Sequence, residues 1–260
     1  MKIAAWNVNS LKVRLPHLLD WLAAQQPDVV CLQETKLEDV NFPQQAIEAA
    51  GYSVAFHGQK TYNGVALLSR RGLDEVVCNN PHFPDPQKRL IAATVQGVRV
   101  ISAYIPNGQE VGSDKYAYKL DWLKALERWL SEELSCYPQL ALAGDFNIAP
   151  EDQDVHNPAS WAGQILCSEA EREAFRRLLS LGLQDSFRLF AQPEKSFSWW
   201  DYRMLGFQKN QGLRIDHVLL SAALAAQCTA AGIDRDMRKR ERPSDHAPVW
   251  AECGRFPALS

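Results

Sequence analysis

The sequence predicts an α/β protein in which two mixed β-sheets pack together and helices lie outside them. Three observations lead there. Apolar segments of strand length alternate with segments whose leucines recur at helical spacing. One pair of apolar segments, joined by tight-turn residues, adds an antiparallel hairpin. The strand–helix order is also roughly repeated about the middle of the chain. No linker or low-complexity tract interrupts it, so residues 1–260 read as a single domain.

The first strand covers residues 2–8, with Asn7 and Asn9 where its apolar pattern stops. Leu15, Leu18, Leu19 and Leu22 predict a helix, with Pro16 tolerable in its first turn and Pro27 beyond its end. Asp28–Leu32 is a buried strand that delivers Glu34 at its tip. A short helix follows Phe42-Pro43, with Gly51 past its end. Strands are expected around Ser53–His57 and Gly64–Ser69, the second entered through Asn63-Gly64. Leu90–Val95 and Val98–Tyr104 form the hairpin across Gln96-Gly97, ending before the Pro106-Asn107-Gly108 turn. A long helix fits Lys115–Leu134: Leu123, Leu126, Leu130 and Leu134 make its apolar stripe, and Lys119, Lys124 and Glu127 are assigned to the other face.

In the second half, Gln139–Ala143 is a buried strand leading into Gly144-Asp145-Phe146-Asn147. Ala149–Cys167 is polar and aromatic and reads as a surface insertion. Ser168 and Glu171 make a capping box for a helix that Gly182 stops. Phe197–Tyr202, Leu213–Leu220 and Ala247–Ala251 are further strands, separated by the loops Gly206–Gln211 and Asp234–Ser244.

Composition bounds the function classes. The chain has 260 residues, 46% hydrophobic and 23% charged, in the range of ordinary globular proteins. No apolar run approaches the length that crosses a bilayer. Its first residues read directly as a strand, which argues against secretion, and a cytoplasmic, monomeric protein is expected. Six cysteines, at 31, 78, 136, 167, 228 and 253, are widely spaced with no CxxC, so reduced thiols are expected rather than disulfides or zinc ligands. The net charge of −3 gives no general attraction to a polyanion, but a cleft acts through its local field. Basic groups concentrate at Arg70-Arg71, Lys88-Arg89, and Arg238-Lys239-Arg240 with Arg242.

An ionisable or amide residue recurs at the end of a buried strand: Asn7, Glu34, Tyr104, Asp145, Asn147, Asp216, Asp245 and His246. Singly, each has a plain structural reading. Asn7 can cap a turn, Asp145-Phe146-Asn147 can be an Asx turn, and a lone histidine is more often structural. Together they have a chemical logic. Carboxylates and amide oxygens are hard ligands suited to magnesium or manganese, and such an ion can polarise a phosphodiester. A histidine beside an aspartate can donate to the same phosphate. GxxxxGK[ST] is missing, so nucleoside-triphosphate hydrolysis fits poorly.

Five blocks, Trp6-Asn7-Val8-Asn9-Ser10-Leu11, Leu32-Gln33-Glu34-Thr35-Lys36, Gly144-Asp145-Phe146-Asn147, Gly212-Leu213-Arg214-Ile215-Asp216-His217 and Pro243-Ser244-Asp245-His246-Ala247-Pro248-Val249, closely resemble the exonuclease III family of AP endonucleases. That family lies within the endonuclease/exonuclease/phosphatase superfamily. The resemblance implies a four-layer α/β sandwich and a Mg2+- or Mn2+-dependent hydrolase acting on double-stranded DNA with abasic sites or 3′ ends.

It also implies roles. Glu34 is the primary metal carboxylate, with Asn7 and Asp245 beside the metal. Asp145 orients or deprotonates the attacking water, supported by Asn147. His246 is the phosphate donor, oriented by Asp216, and Tyr104 supports the phosphate or leaving group. Phe197-Ser198-Trp199-Trp200-Asp201-Tyr202 resembles the aromatic block used beside an abasic sugar, with Trp199 the stronger match and an aromatic core strand the plain reading of Trp200. Asn9, Lys36, Arg89, Asn107 and Arg214 are the other expected substrate contacts. The likeness weakens between Gln153 and Ser168, a region implied to touch DNA. A phosphatase or lipid phosphodiesterase on the same scaffold is the enzymatic alternative; a DNA-binding or scaffold protein without activity is the other.

Overall fold

A computed structural model of the chain describes residues 1–254. In chain order the strands of the first half are β1 (Lys2–Asn7), β2 (Val29–Gln33), β3 (Ser53–His57), β4 (Val65–Ser69), β5 (Asp74–Cys78), β6 (Leu90–Val95) and β7 (Val98–Tyr104). Those of the second half are β8 (Leu140–Asp145), β9 (Leu183–Asp185), β10 (Trp199–Trp200), β11 (Gly212–Leu213), β12 (Asp216–Ser221), β13 (Cys228–Ile233) and β14 (Val249–Cys253). The helices are α1 (Leu11–Gln25), α2 (Gln44–Ala49), α3 (Asp114–Cys136), α4 (Pro158–Trp161), α5 (Glu169–Ser180) and α6 (Ala222–Ala225).

Two six-stranded sheets form, in the orders β13-β14-β1-β2-β4-β3 and β5-β6-β7-β8-β12-β9, with β10-β11 as a separate pair. Side-chain alternation along each strand assigns the layers. Ile3, Ala5, Val29, Cys31, Val65 and Leu67 from the first sheet meet Ile91, Ala93, Val100, Ala141, Ala143 and Val218 from the second. The intervening residues face outward: Ala4, Trp6, Val30 and Leu32 toward α1 and α2, and Ile101, Ala103, Leu140, Leu142 and Leu219 toward α3 and α5. Strands apolar on both faces require cover on both sides, which gives the four-layer α/β sandwich. Each fully buried Leu, Ile or Val in these layers stabilises the fold by roughly 1.5–3 kcal/mol.

Local signals set the connections. Gln96 and Gly97 both have positive φ, 49° and 81°, as a two-residue hairpin turn requires. Ser113 caps α3 by accepting from the Tyr116 N–H, and Ser168 with Glu171 forms the predicted capping box of α5.

Several expectations are corrected. Helix α1 begins at Leu11, so Pro16 lies in its second turn and cannot donate to the Lys12 carbonyl; both residues are exposed, where water can serve that oxygen. Lys119 does not face outward on α3. It lies four residues before Leu123, hence on the same stripe, and is fully buried. The span Phe197–Tyr202 is strand only at Trp199–Trp200, and Leu213–Leu220 breaks into β11 and β12 around Arg214-Ile215. Strands β5, β9 and β13 were not expected. β5 (DEVVC) is mostly exposed and β13 (CTAAGI) is built of small residues, so neither carries a strong apolar pattern.

Candidate active site

The site lies where the sheet–sheet interface runs out of apolar side chains. Continuing the inward parity of each strand past its last apolar residue gives Asn7 on β1, Tyr104 on β7, Asp145 on β8 and Asp216 on β12. Register brings three of them level, since Tyr104 pairs with Asp145 and Asp145 with Asp216. Opposite them, Glu34 and the loop carrying Asp245-His246 complete the cluster. The Trp6 indole donates to the His246 carbonyl at 3.2 Å, and Ser244 Oγ donates to the Asn7 carbonyl at 2.6 Å.

The loops leave the strands abruptly. Asn9, Glu34, Lys36 and Asn147 all adopt left-handed backbone conformations, with φ of 42°, 52°, 55° and 50°. Asn tolerates this; for Glu34 and Lys36 it costs on the order of 1–2 kcal/mol each. The strain is held by bonds between neighbouring loops, including the Ser10 N–H to the Glu34 carbonyl at 2.8 Å and the Lys36 N–H to the Asn63 carbonyl at 2.9 Å.

Asn7 is the hub: its amide donates to Glu34 Oε1 at 2.9 Å and to Asp145 Oδ2 at 2.8 Å. The second oxygen of Asp145 accepts from the Asn147 backbone N–H at 2.9 Å. His246 Nδ1 sits 2.9 Å from Asp216 Oδ2, and that oxygen also accepts from Ser198 Oγ at 2.7 Å. On the far side of the ring, His246 Nε2 is 3.7 Å from Asp145 Oδ2. Lys36 pairs with Glu34 at 2.8 Å and donates to Asn9 Oδ1 at 2.6 Å; the Asn9 amide in turn donates to Asp245 Oδ1 at 2.9 Å. Trp199 Nε1 holds the other Asp245 oxygen at 3.0 Å.

Charge in this pocket is unevenly compensated. Burial, with the Asp216 and Glu34 carboxylates adding to it, pushes Asp145 up to about 7 against the pull of His246 and Asn7. Burial would lower His246, but Asp216 and then Asp145 outweigh it and raise the imidazole to about 10, so its Nε2–H stays a donor at neutral pH. Burial also works against ionised Glu34; Lys36 and Asn7 overcome it and hold this carboxyl low. Asp245 is likewise held low despite burial, by His246, Trp199 and Asn9. Burial and the nearby Glu34 and Asp145 carboxylates keep Tyr104 protonated far above neutral pH, with Arg89 4.8 Å over its ring.

Asp145, Asp216 and His246 bring potential ligand atoms within 4.8 Å of one another and could hold a divalent cation. The wider donor set fits one better. Of the cations around the four carboxylates (Glu34, Asp145, Asp216 and Asp245), only Lys36 and His246 pair with them directly, Arg89 standing over the Tyr104 ring, and Asp216 is already committed to His246 and Ser198. Hard oxygen donors in excess of positive charge suit magnesium or manganese rather than zinc.

Of the expected substrate contacts, Asn9, Lys36, Arg89, Asn107 and Trp199 are at least partly accessible around this pocket. Trp200 and Arg214 are not, and both expectations are corrected. Trp200 has no exposed surface and packs with Phe197 and Ala247. Arg214 is buried behind the site, bound to Asp154 at 2.6 Å and Asp185 at 2.7 Å, because an arginine next to a buried strand needs carboxylate partners there. Arg238, one of the basic residues singled out above, is also buried and donates to the Ser244 and Trp200 carbonyls at 2.7 and 3.3 Å. Sequence reasoning missed Ser198 and Ser244, which orient Asp216 and anchor the His246 loop; a serine in a loop carries no signal of its partner.

The chain matches the endonuclease/exonuclease/phosphatase family over residues 4–246. It is 40% identical to exodeoxyribonuclease III of Haemophilus influenzae, across 97% of this chain and 99% of that protein. It superposes on the 3′ phosphatase NExo from Neisseria, solved bound to a product DNA hairpin, with a TM-score of 0.96 and 47% identity, covering 98% of this chain and 99% of that one. An AP endonuclease from Archaeoglobus fulgidus gives a TM-score of 0.94 at 36% identity, over 97% and 99% of the two chains. With this sandwich and this cluster at its open end, the chain belongs to the exonuclease III/AP endonuclease family of phosphodiester hydrolases.

Proposed function

We propose that this protein is a DNA repair nuclease, dependent on magnesium or manganese, that hydrolyses phosphodiesters in duplex DNA at abasic sites and at 3′ ends. It acts as a monomer and as one catalytic domain. The observation that carries this reading is the hydrogen-bonded set Glu34–Asn7–Asp145 facing the Asp216–His246 pair across a few ångströms. The relatives named above are an exonuclease, a 3′ phosphatase and an AP endonuclease, which supports both kinds of target.

Glu34, with Asn7 and Asp245, would hold the metal ion, which supplies Lewis-acid polarisation of the phosphate when bound. Asp145, whose carboxylate is held between Asn7 and His246, accepts the proton of the attacking water. Asn7 and the Asn147 N–H fix the direction of that carboxylate. His246, kept charged by Asp216, donates from Nε2 to a non-bridging phosphate oxygen, where charge builds in the transition state. Tyr104 donates its hydroxyl to the same phosphate or to the leaving oxygen. Trp199, pinned through Asp245, presents an aromatic face beside the pocket, suited to a sugar that has lost its base.

The test incubates purified protein with end-labelled duplexes carrying an abasic analogue, a 3′-phosphate or a normal recessed end, in magnesium, manganese or EDTA. Cleavage of the abasic and 3′-end substrates with either metal, and none in EDTA, is expected. Hydrolysis of inositol phosphates with no cleavage of any duplex would overturn the reading.

A further inference from the structure

Lys119 is a fully buried lysine whose ammonium meets three oxygens from three segments of chain. It donates to the Asn147 carbonyl at 2.7 Å, the Asn107 carbonyl at 3.1 Å and Glu171 Oε1 at 2.5 Å. An ammonium has three N–H donors, so the set is complete. Glu171 accepts in turn from the Leu166 and Ser168 N–H groups, both at 3.1 Å, and from Ser168 Oγ at 2.6 Å. The Tyr116 hydroxyl, one turn before Lys119 on α3, meets Ser168 Oγ at 2.7 Å. Packing reinforces the bonds: a Cβ placed on Gly108 would lie 3.0 Å from Ile165 Cδ1 and 3.1 Å from Lys119 Cδ.

The two asparagines held from below by this ammonium also meet in the site, where Asn107 Nδ2 donates to Asn147 Oδ1 at 3.2 Å. Fold stability alone does not call for a lysine here. An apolar residue would complete the stripe of Leu123, Leu126 and Leu130, and buried ion pairs are often replaced by apolar residues with no loss of stability. What a lysine adds is direction, because each acceptor must sit along an N–H bond.

We propose that Lys119 is a positioning residue for hydrolysis. It sets the backbones of Asn107 and Asn147 and, through Glu171, holds the 150–168 insertion in register with them. The inference rests on the reading that Asn147 acts on the attacking water and phosphate.

The double variant Lys119→Met/Glu171→Gln removes both charges together and keeps an amide able to complete the α5 capping box. On whichever of the abasic and 3′-phosphate duplexes the parent cleaves faster, kcat should fall roughly 10- to 100-fold, the range for a small misplacement of groups at the chemistry. KM, DNA affinity in EDTA and the melting temperature should stay near the parent values. Adding Asn147→Ala should cost much less in this background than in the parent, because the group it removes is already misplaced. An unchanged kcat, or strictly additive effects, would overturn the inference. If the double variant does not fold, Lys119→Arg carries the test: it keeps a cation beside Glu171 but redirects the donors that meet Asn107 and Asn147, with the same kcat loss expected and an unchanged kcat counting against it. An Asn147→Ala variant as active as the parent would instead sink the underlying reading, whatever Lys119 does.

Discussion

Two buried clusters of charge lie on opposite sides of β12, and they differ in how completely they are compensated. Behind the strand, Arg214 binds Asp154 and Asp185, Arg188 adds a second contact to Asp154, and His217 accepts from Arg214 at 3.0 Å. Its positive and negative groups match, and burial of Asp185 is overcome mainly by Arg214, which holds that carboxyl low. In front of the strand, carboxylates outnumber cations and Asp145 is pushed up to about 7. The same residue types serve two ends. A closed cluster fixes the insertion against the sheet, whereas an under-compensated one could hold a divalent cation.

The largest expected effect is on the open side. Asp145→Asn keeps the shape and one of the two accepting oxygens but loses the proposed proton acceptor, so single-turnover cleavage of an abasic duplex should slow by roughly 100- to 10,000-fold while binding persists. Rates with saturating protein and magnesium, taken across pH, measure this. A variant with the parent rate and pH profile would pass the role to another group and weaken the contrast between the clusters.

On the closed side the effect should appear in stability. Arg214→Met leaves Asp154 and Asp185 buried without their guanidinium, at a cost of about 3–5 kcal/mol. Denaturant unfolding measures it. A shift below about 1 kcal/mol, the size of an exposed pair, would mean that the closed cluster is not structural.

The two histidines sharpen the comparison through pH. Burial and then Arg214 lower His217 to about 4, so the unfolded chain binds a proton that the folded one refuses. Stability from this group is present above about 6.5 and lost as pH falls toward 4, by up to roughly 3 kcal/mol. His246 is shifted the opposite way: its contribution is present below about 6.5 and lost as pH rises through about 10. Unfolding followed across pH in EDTA should show the acid loss flattened in His217→Gln and the alkaline loss flattened in His246→Gln. Parent-like slopes in both would remove the electrostatic distinction.

The smallest effect concerns the surface. Arg70, Lys239, Arg240 and Arg242 are exposed and Lys88 is partly so, whereas Arg238 is an internal brace. If about three to five phosphate contacts form, log affinity in EDTA should fall with log salt at a slope of about −3 to −4.5. Neutralising Arg240 should reduce that slope by about 0.9. A salt-independent affinity would detach these loops from DNA binding.

The strands that build the site were legible because their signal is local. Asn7, Tyr104 and Asp145 each follow an apolar run at a period of two, and that alternation fixes which face a side chain takes. The same logic applied to α3 would have placed Lys119 inward, since it lies on the leucine stripe; reading its charge as exposure led to the wrong face. Roles of individual site residues came from the family blocks rather than from periodicity, which does not separate a metal carboxylate from a capping one.

By itself the sequence determined the alternation that makes two-faced strands and one-sided helices, the tight turns and caps, and the strand ends where polar residues gather. Tertiary structure alone decided which polar groups were left for chemistry. Arg214 finds Asp154 sixty residues away, and Asn7 finds Asp145 at a separation of 138. A charge in a sequence carries its sign but not its partner. Burial and pairing together decide whether that charge closes a structural cluster or remains to bind a substrate.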